Sequence, residues 1–116
     1  TKARIQNFKK LKERRVSFRF GLIYSTSNEV LKKIPKEIER IFEDIDNANF
    51  DRAHLFRFDD SALTFEVVYF LFSDDYNEYM DTQQKVNLRI KETVEKMETD
   101  FAFPTRTVYT QQAPKL

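Results

Sequence analysis

The stretch Leu63-Thr64-Phe65-Glu66-Val67-Val68-Tyr69-Phe70-Leu71-Phe72 constrains the fold more than any other part of the chain. It is dense in β-branched and aromatic residues and lacks Gly and Pro, which is the composition of a pleated, largely buried strand. Alternation divides it into two faces. Leu63, Phe65, Val67, Tyr69 and Leu71 make one wholly apolar face. Thr64, Glu66, Val68, Phe70 and Phe72 make the other, which is apolar at one end only. Such a strand is expected at the centre of a sheet, with something covering the second face as well. Ser73-Asp74-Asp75 then signals the start of a helix.

The flanking segments fall into place around this strand. Arg15 to Tyr24 alternates between Val16, Phe18, Phe20, Leu22 and Tyr24 on one side and Arg15, Ser17, Arg19 and Gly21 on the other. It reads as a strand with one buried face, in which Gly21 marks a bulge or a close approach. Thr26 followed by Glu29 reads as a capping box. The helix it opens carries an apolar stripe of Leu31, Ile34, Ile38, Ile41, Phe42 and Ile45. Pro35 either begins that helix proper or kinks it, and Asp46-Asn47-Ala48-Asn49 ends it. Ala53 to Phe58 is expected as a second strand, and Asp59-Asp60-Ser61 as a turn into the opening stretch. With Asp60-Ser61 at the turn, Phe58 faces Leu63, Phe56 faces Phe65 and His54 faces Val67, so the single histidine belongs to the core. A second helix runs from about Asp75 to Met97, with Tyr76, Tyr79, Met80, Gln83, Val86, Ile90, Val94 and Met97 as its seam. Thr105 to Thr110 is the last strand-like segment. The order β-α-β-β-α-β is the ferredoxin-like α+β pattern, an antiparallel sheet with two helices on one face. The expected organisation is a lead-in over 1–14, one domain over 15–110 and a tail over 111–116.

Composition excludes several function classes. Hydrophobic residues make up 41% of 116 residues, with 12 Phe and 5 Tyr, enough for one packed core and against disorder. With no Cys there is no disulfide framework, thiolate metal site or Cys nucleophile. A single Gly rules out a phosphate-cradling Gly-rich loop. The acidic run at Glu43-Asp44-Ile45-Asp46-Asn47 fails the calcium-loop pattern, with Asn49 where Gly and Leu55 where Glu should stand. Asp59-Asp60 and Asp74-Asp75 suit a turn and a helix start. His54 has no second base with which to build a catalytic set. No catalytic residue, cofactor or metal is therefore expected. No apolar run approaches the ~20 residues of a membrane span. The chain begins with Thr, as an excised fragment would.

The net charge is +1, but residues 1–24 hold eight of the 20 basic residues and one of the 19 acidic ones. That asymmetry marks either a nucleic-acid or membrane-surface contact or a solvated basic linker. An RNA-binding sheet face would need aromatics on the central strands beside basic residues. Phe70, Phe72, Arg15 and Arg19 supply part of this, but Glu66 interrupts the face and the Gly-aromatic consensus is missing. A protein contact explains Val68, Phe70 and Phe72 more simply, so no nucleic acid is expected. A small-ligand regulatory domain would need a cluster of convergent polar groups that the sequence does not show.

Four segments in order resemble one family. Arg14-Arg15-Val16-Ser17-Phe18-Arg19-Phe20-Gly21-Leu22-Ile23-Tyr24-Ser25-Thr26 is similar to the start of the C-terminal cytoplasmic domain of the small-conductance mechanosensitive channel (MscS) family. Phe50 to Leu55 with Phe58 to Val67 resembles its hairpin, apart from Asp59 where the family has Gly. Asp81-Thr82-Gln83-Gln84-Lys85-Val86-Asn87-Leu88 resembles its second helix, and Phe101 to Val108 its closing segment. The resemblance implies a non-enzymatic part of a homoheptameric, tension-gated channel of the cell membrane that releases solutes on hypo-osmotic shock. This chain would form the wall of its cytoplasmic vestibule, after a preceding β-domain and pore helices, and would reach the membrane only through that missing N-terminal region. It also implies that Pro104, Thr105, Arg106, Thr107, Val108 and Tyr109 contribute to assembly. Val68, Phe70 and Phe72 become candidate subunit or interdomain contacts, and Lys9, Lys10 and Lys12 candidate residues for biasing which ions enter.

Overall fold

The computed structural model describes residues 13–102. The chain runs β1 (Arg14–Leu22), α1 (Asn28–Glu43), β2 (Ala48–Asp59), β3 (Ala62–Leu71) and α2 (Tyr76–Lys96). β3 is central and antiparallel to both neighbours, in the order β1-β3-β2. Its in-facing residues Leu63, Phe65, Val67, Tyr69 and Leu71 are all buried. Ile34, Ile38, Ile41 and Phe42 of α1 and Val86, Ile90 and Val94 of α2 meet Phe65, Val67, Tyr69 and Leu71 in one core, so both helices cover the same face. This is the ferredoxin-like α+β arrangement. Each large aliphatic or aromatic side chain buried here contributes about 1.5–3 kcal/mol. Phe20 stacks on Phe65 at 5.4 Å and Phe42 tilts onto Tyr69 at 4.8 Å, which adds aromatic contact to the area term. The Tyr69 hydroxyl is kept satisfied by donating to Gln83 Oε1 at 2.8 Å. Burial, with Tyr79 nearby, pushes the Tyr69 phenol far above its ordinary value.

After α2 the chain returns to the outer edge of β1. Phe101 bridges Leu22 antiparallel, Ile23 N–H donates to Asp100 O at 3.1 Å, and Ala102 N–H donates to Gly21 O at 2.9 Å. The strand-like segment expected at Thr105 to Thr110 lies outside the described residues. Gly21 is a site of close approach, since a Cβ there would meet the Ala62 Cβ at 2.7 Å.

Four local expectations are corrected. Phe58 does face Leu63, but the register shifts between Leu55 and Arg57 and again between Phe50 and Arg52. Ala53 and Leu55 therefore oppose Val67 and Phe65, while His54 opposes Glu66 and is exposed. An imidazole under α1 would need a buried hydrogen-bond partner, whereas Ala53 lets the helix approach the sheet. Secondly, β2 begins at Ala48, within the run read as the end of the helix. Thirdly, Ser27 caps α1 by accepting from Val30 N–H at 3.3 Å. Thr26 is buried and bonds Ile23 O and the Thr99 hydroxyl, each at 2.7 Å. The helix starts at Asn28 and continues through Pro35. Fourthly, α2 buries Thr82 with Val86, Ile90 and Val94, while Tyr76 and Met80 are turned out, 62% and 37% exposed. Asn47 causes this rotation: its side-chain amide donates to Glu78 at 2.6 Å and Thr82 at 3.2 Å, drawing that side of the helix towards the sheet.

Gly21→Val should destabilise the domain by about 1–3 kcal/mol, because both backbones must move apart. Tyr69→Phe should cost about 1–3 kcal/mol by orphaning Gln83. Urea midpoints at unchanged slope check both.

Candidate interaction surfaces

The sheet face turned away from the helices is crossed by a chain of polar and aromatic contacts. Arg19 of β1 donates to Glu66 Oε2 on β3 at 3.4 Å, and Glu66 also accepts from Ser17 at 3.5 Å. The same guanidinium lies 4.5 Å from the centre of the Phe56 ring, and that of Arg57 lies 5.4 Å from it. Phe56 reaches this face because it is the extra residue of the second register shift in β2. Arg57 Nε donates to Asp59 Oδ1 at 2.8 Å. The Thr64 hydroxyl donates to the other carboxylate oxygen, and the Tyr24 hydroxyl to the Asp59 main-chain oxygen. The Thr64 hydrogen bond is the largest cause that holds the Asp59 carboxyl below its ordinary value; desolvation opposes it, and the Arg57 hydrogen bond and the charges of Arg57 and Arg19 add to the lowering. Both arginines therefore have carboxylate partners, which leaves an aromatic-arginine patch of little net charge. Phe56, Phe58 and Tyr24 are exposed at this hairpin end.

The residues singled out from the sequence are distributed differently. Val68 and Phe72 are buried within the chain itself, and Phe70 is half-buried. Lys9, Lys10 and Lys12, and Pro104 to Tyr109, lie outside the described residues. Of the three groups, only Val68, Phe70 and Phe72 fall within the described residues. Phe56 was missed because strict alternation assigned it to the core, and a one-residue register shift leaves no mark in composition. Tyr76 and Met80 were missed because the seam spacing fits them as well as Thr82.

Little else in the described residues resembles a chemical site. They hold no group of three or more His, Asp or Glu placed to bind a metal. A concavity of about 330 Å³ between the helices is lined by Arg40, Arg89, Lys96, Glu37 and Glu92 among others. Its two arginines are already paired, Arg40 with Glu37 and Arg89 with Asp44, both at 3.1 Å. The face of paired arginines and buried Val68 and Phe72 does not favour the RNA reading either. No described helix is long and apolar enough to cross a membrane.

Residues 16–101 match the family model "Mechanosensitive ion channel MscS, C-terminal". The chain belongs to the MscS family. It is 37% identical over 114 residues to an uncharacterized MscS family protein of Aquifex aeolicus, covering 96% of this chain and 31% of that protein. It is 34% identical over 110 residues to the small-conductance mechanosensitive channel MscMJ of Methanocaldococcus jannaschii, covering 93% of this chain and 31% of the relative. The chain thus spans about a third of the length of the curated relatives it matches. Among solved structures, Arabidopsis thaliana MSL1 superposes with a TM-score of 0.63 at 15% identity, over 83% of this chain and 36% of that one. That likeness is one of fold. The MscS family is one of mechanosensitive channels rather than enzymes.

Because the Asp59 carboxyl is held low in the folded state, it adds stability above the ordinary carboxylate range, and this is lost as pH falls through the folded value. Thr64→Val should raise the Asp59 value, read by carboxyl NMR titration. The stability gap between the two proteins at neutral pH should narrow as the medium is acidified below that value.

Proposed function

We propose that this chain is the cytoplasmic vestibule domain of a tension-gated channel of the cell membrane, which releases solutes on hypo-osmotic shock. In this reading it serves assembly and solute filtering and performs no catalysis. The observation that carries it is the family match over residues 16–101, on a fold shared with MSL1. The pore-forming spans would belong to the rest of a longer polypeptide, and seven copies would assemble around one axis.

The edge pairing of β1 supports a role in assembly for the segment Pro104 to Tyr109. Hydrogen bonds alternate along an antiparallel ladder, here between Ile23 and Asp100 and between Gly21 and Ala102. In the same register the next bonding position opposite β1 falls on Pro104, which has no N–H to give. In this reading the segment that follows would pair with other copies. Phe70, backed by the buried Val68 and Phe72, would contribute a subunit or interdomain contact. Lys9, Lys10 and Lys12 would bias ion entry where the domain meets the preceding one.

Patch recording on the full-length protein tests the reading. A pressure-activated conductance is expected, and its absence would remove the channel assignment. Within the assembled protein, Phe70→Ser should weaken the oligomer roughly 5-fold or more, as loss of an aromatic contact at an interface does. Native mass spectrometry reads this, and an unchanged oligomer would remove Phe70 from the contact.

A further inference from the structure

The first turns of α2 carry an apolar face turned away from α1. Asn47 holds Glu78 and Thr82 on the opposite flank of the helix, so Tyr76 and Met80, one turn apart, stay exposed. The Tyr76 ring lies 6.0 Å from that of half-buried Tyr79, edge to face, and the Arg14 guanidinium lies 5.0 Å from the centre of the Tyr79 ring. Arg14 is the first residue of β1, so this face stands where the chain enters the fold. Among the described residues that guanidinium also meets the Asp74 main-chain oxygen at 3.5 Å, but no carboxylate. Aromatic rings, Met and Arg gathered at one exposed spot are the residue types enriched at the centres of protein interfaces.

Where the chain enters and leaves the fold selects the occupant. Ala102 pairs with Gly21 towards the other end of β1, so residues 103–116 depart about 23 Å along that strand from Arg14. Residues 1–12, by contrast, arrive beside the face, and a link of that length reaches at most ~43 Å. The chain spans about a third of the length of its curated relatives, and its family match is to a C-terminal region. A body roughly twice its length would therefore be attached through this lead-in. A second copy suits the face less well. Two-fold pairing presents the same patch from both sides, which would bring the two Arg14 guanidiniums towards each other.

We propose that the Tyr76–Met80 face seats the polypeptide upstream of Thr1 in the same copy of the full-length protein. That polypeptide supplies an apolar side chain against Tyr76 and Met80 and a carboxylate for Arg14. The inference rests on the reading of this chain as the C-terminal part of a longer polypeptide. Arg14 ties the face to β1, and Asn47 ties the same turns of α2 to the start of β2, so the contact fixes the angle between the upstream body and the sheet. Without it the lead-in alone would leave the two bodies free to move relative to one another.

Photocrosslinking in the full-length protein tests this. A benzophenone side chain is placed at Met80, which is exposed, and in a second protein at Phe58, exposed at the hairpin end. On irradiation the Met80 probe should join to peptides from upstream of Thr1, identified by mass spectrometry after digestion, in a product the size of one copy. Its yield should exceed that of the Phe58 probe at least ~10-fold, as a seated, tethered partner exceeds a chance encounter. Tyr76→Ser in the Met80-probe protein should cut the yield roughly 5-fold, as loss of an aromatic anchor does. Crosslinks confined to residues 1–12, crosslinks that join two copies, or a yield no higher than at Phe58 would overturn the proposal. A protein that conducts under pressure yet gives one of these results loses only this contact. Upstream crosslinks in a protein without pressure-activated conductance keep the contact and remove the channel reading.

Discussion

Everything in this domain hangs on β3 being paired along both edges and buried on the face the helices cover. Nine successive pairs tie it to β1, and β2 pairs with it from Ala48 to Asp59. Phe65, Val67, Tyr69 and Leu71 then fix where α1 and α2 sit, because both helices must bury their stripes against the same four side chains. The Tyr69 hydroxyl, a polar group in that layer, meets a partner on α2 and so helps to pin the rotation of that helix about its axis.

Two small polar staples complete the layer. Asn47 joins the start of β2 to the first turns of α2, and its main-chain oxygen also accepts from Phe72 N–H at 3.0 Å. Thr26 and Thr99 join the start of α1 to the end of α2. The staples sit at opposite ends of the sheet, so neither helix can slide without leaving buried polar atoms unpaired. The single glycine has a similar constraint: at Gly21 two strands come too close for any side chain.

The element order, the hairpin turn at Asp60-Ser61 and the in-facing set of β3 were legible because each rests on a strong local pattern. The bulges of β2 were not. Ala53 and Leu55 are chosen over His54 and Phe56 by what lies across the sheet, the close passage of α1 on one side and the guanidinium of Arg19 on the other. Tertiary context likewise decided between Met80 and Thr82 in α2, through a side chain on another element. Ser27 displaced Thr26 as the helix cap only because Thr26 had a buried partner 73 positions away. Alternation places Phe70 on the sheet face turned away from the helices, whereas the Arg19–Phe56–Arg57 patch depends on a register shift and was not legible. The family resemblance was legible because its segments recur in order, and the family match covers residues 16–101.

These features describe a stiff block: one central strand and two helices locked to it. Native-state hydrogen exchange tests that account most directly. Ladder amides of β3 from Phe65 to Leu71 should exchange only through global unfolding, at the free energy measured by urea denaturation, while amides around the β2 bulges at Asp51 and Phe56 exchange through smaller openings. Exchange of the β3 ladder at a free energy well below that of global unfolding would contradict it.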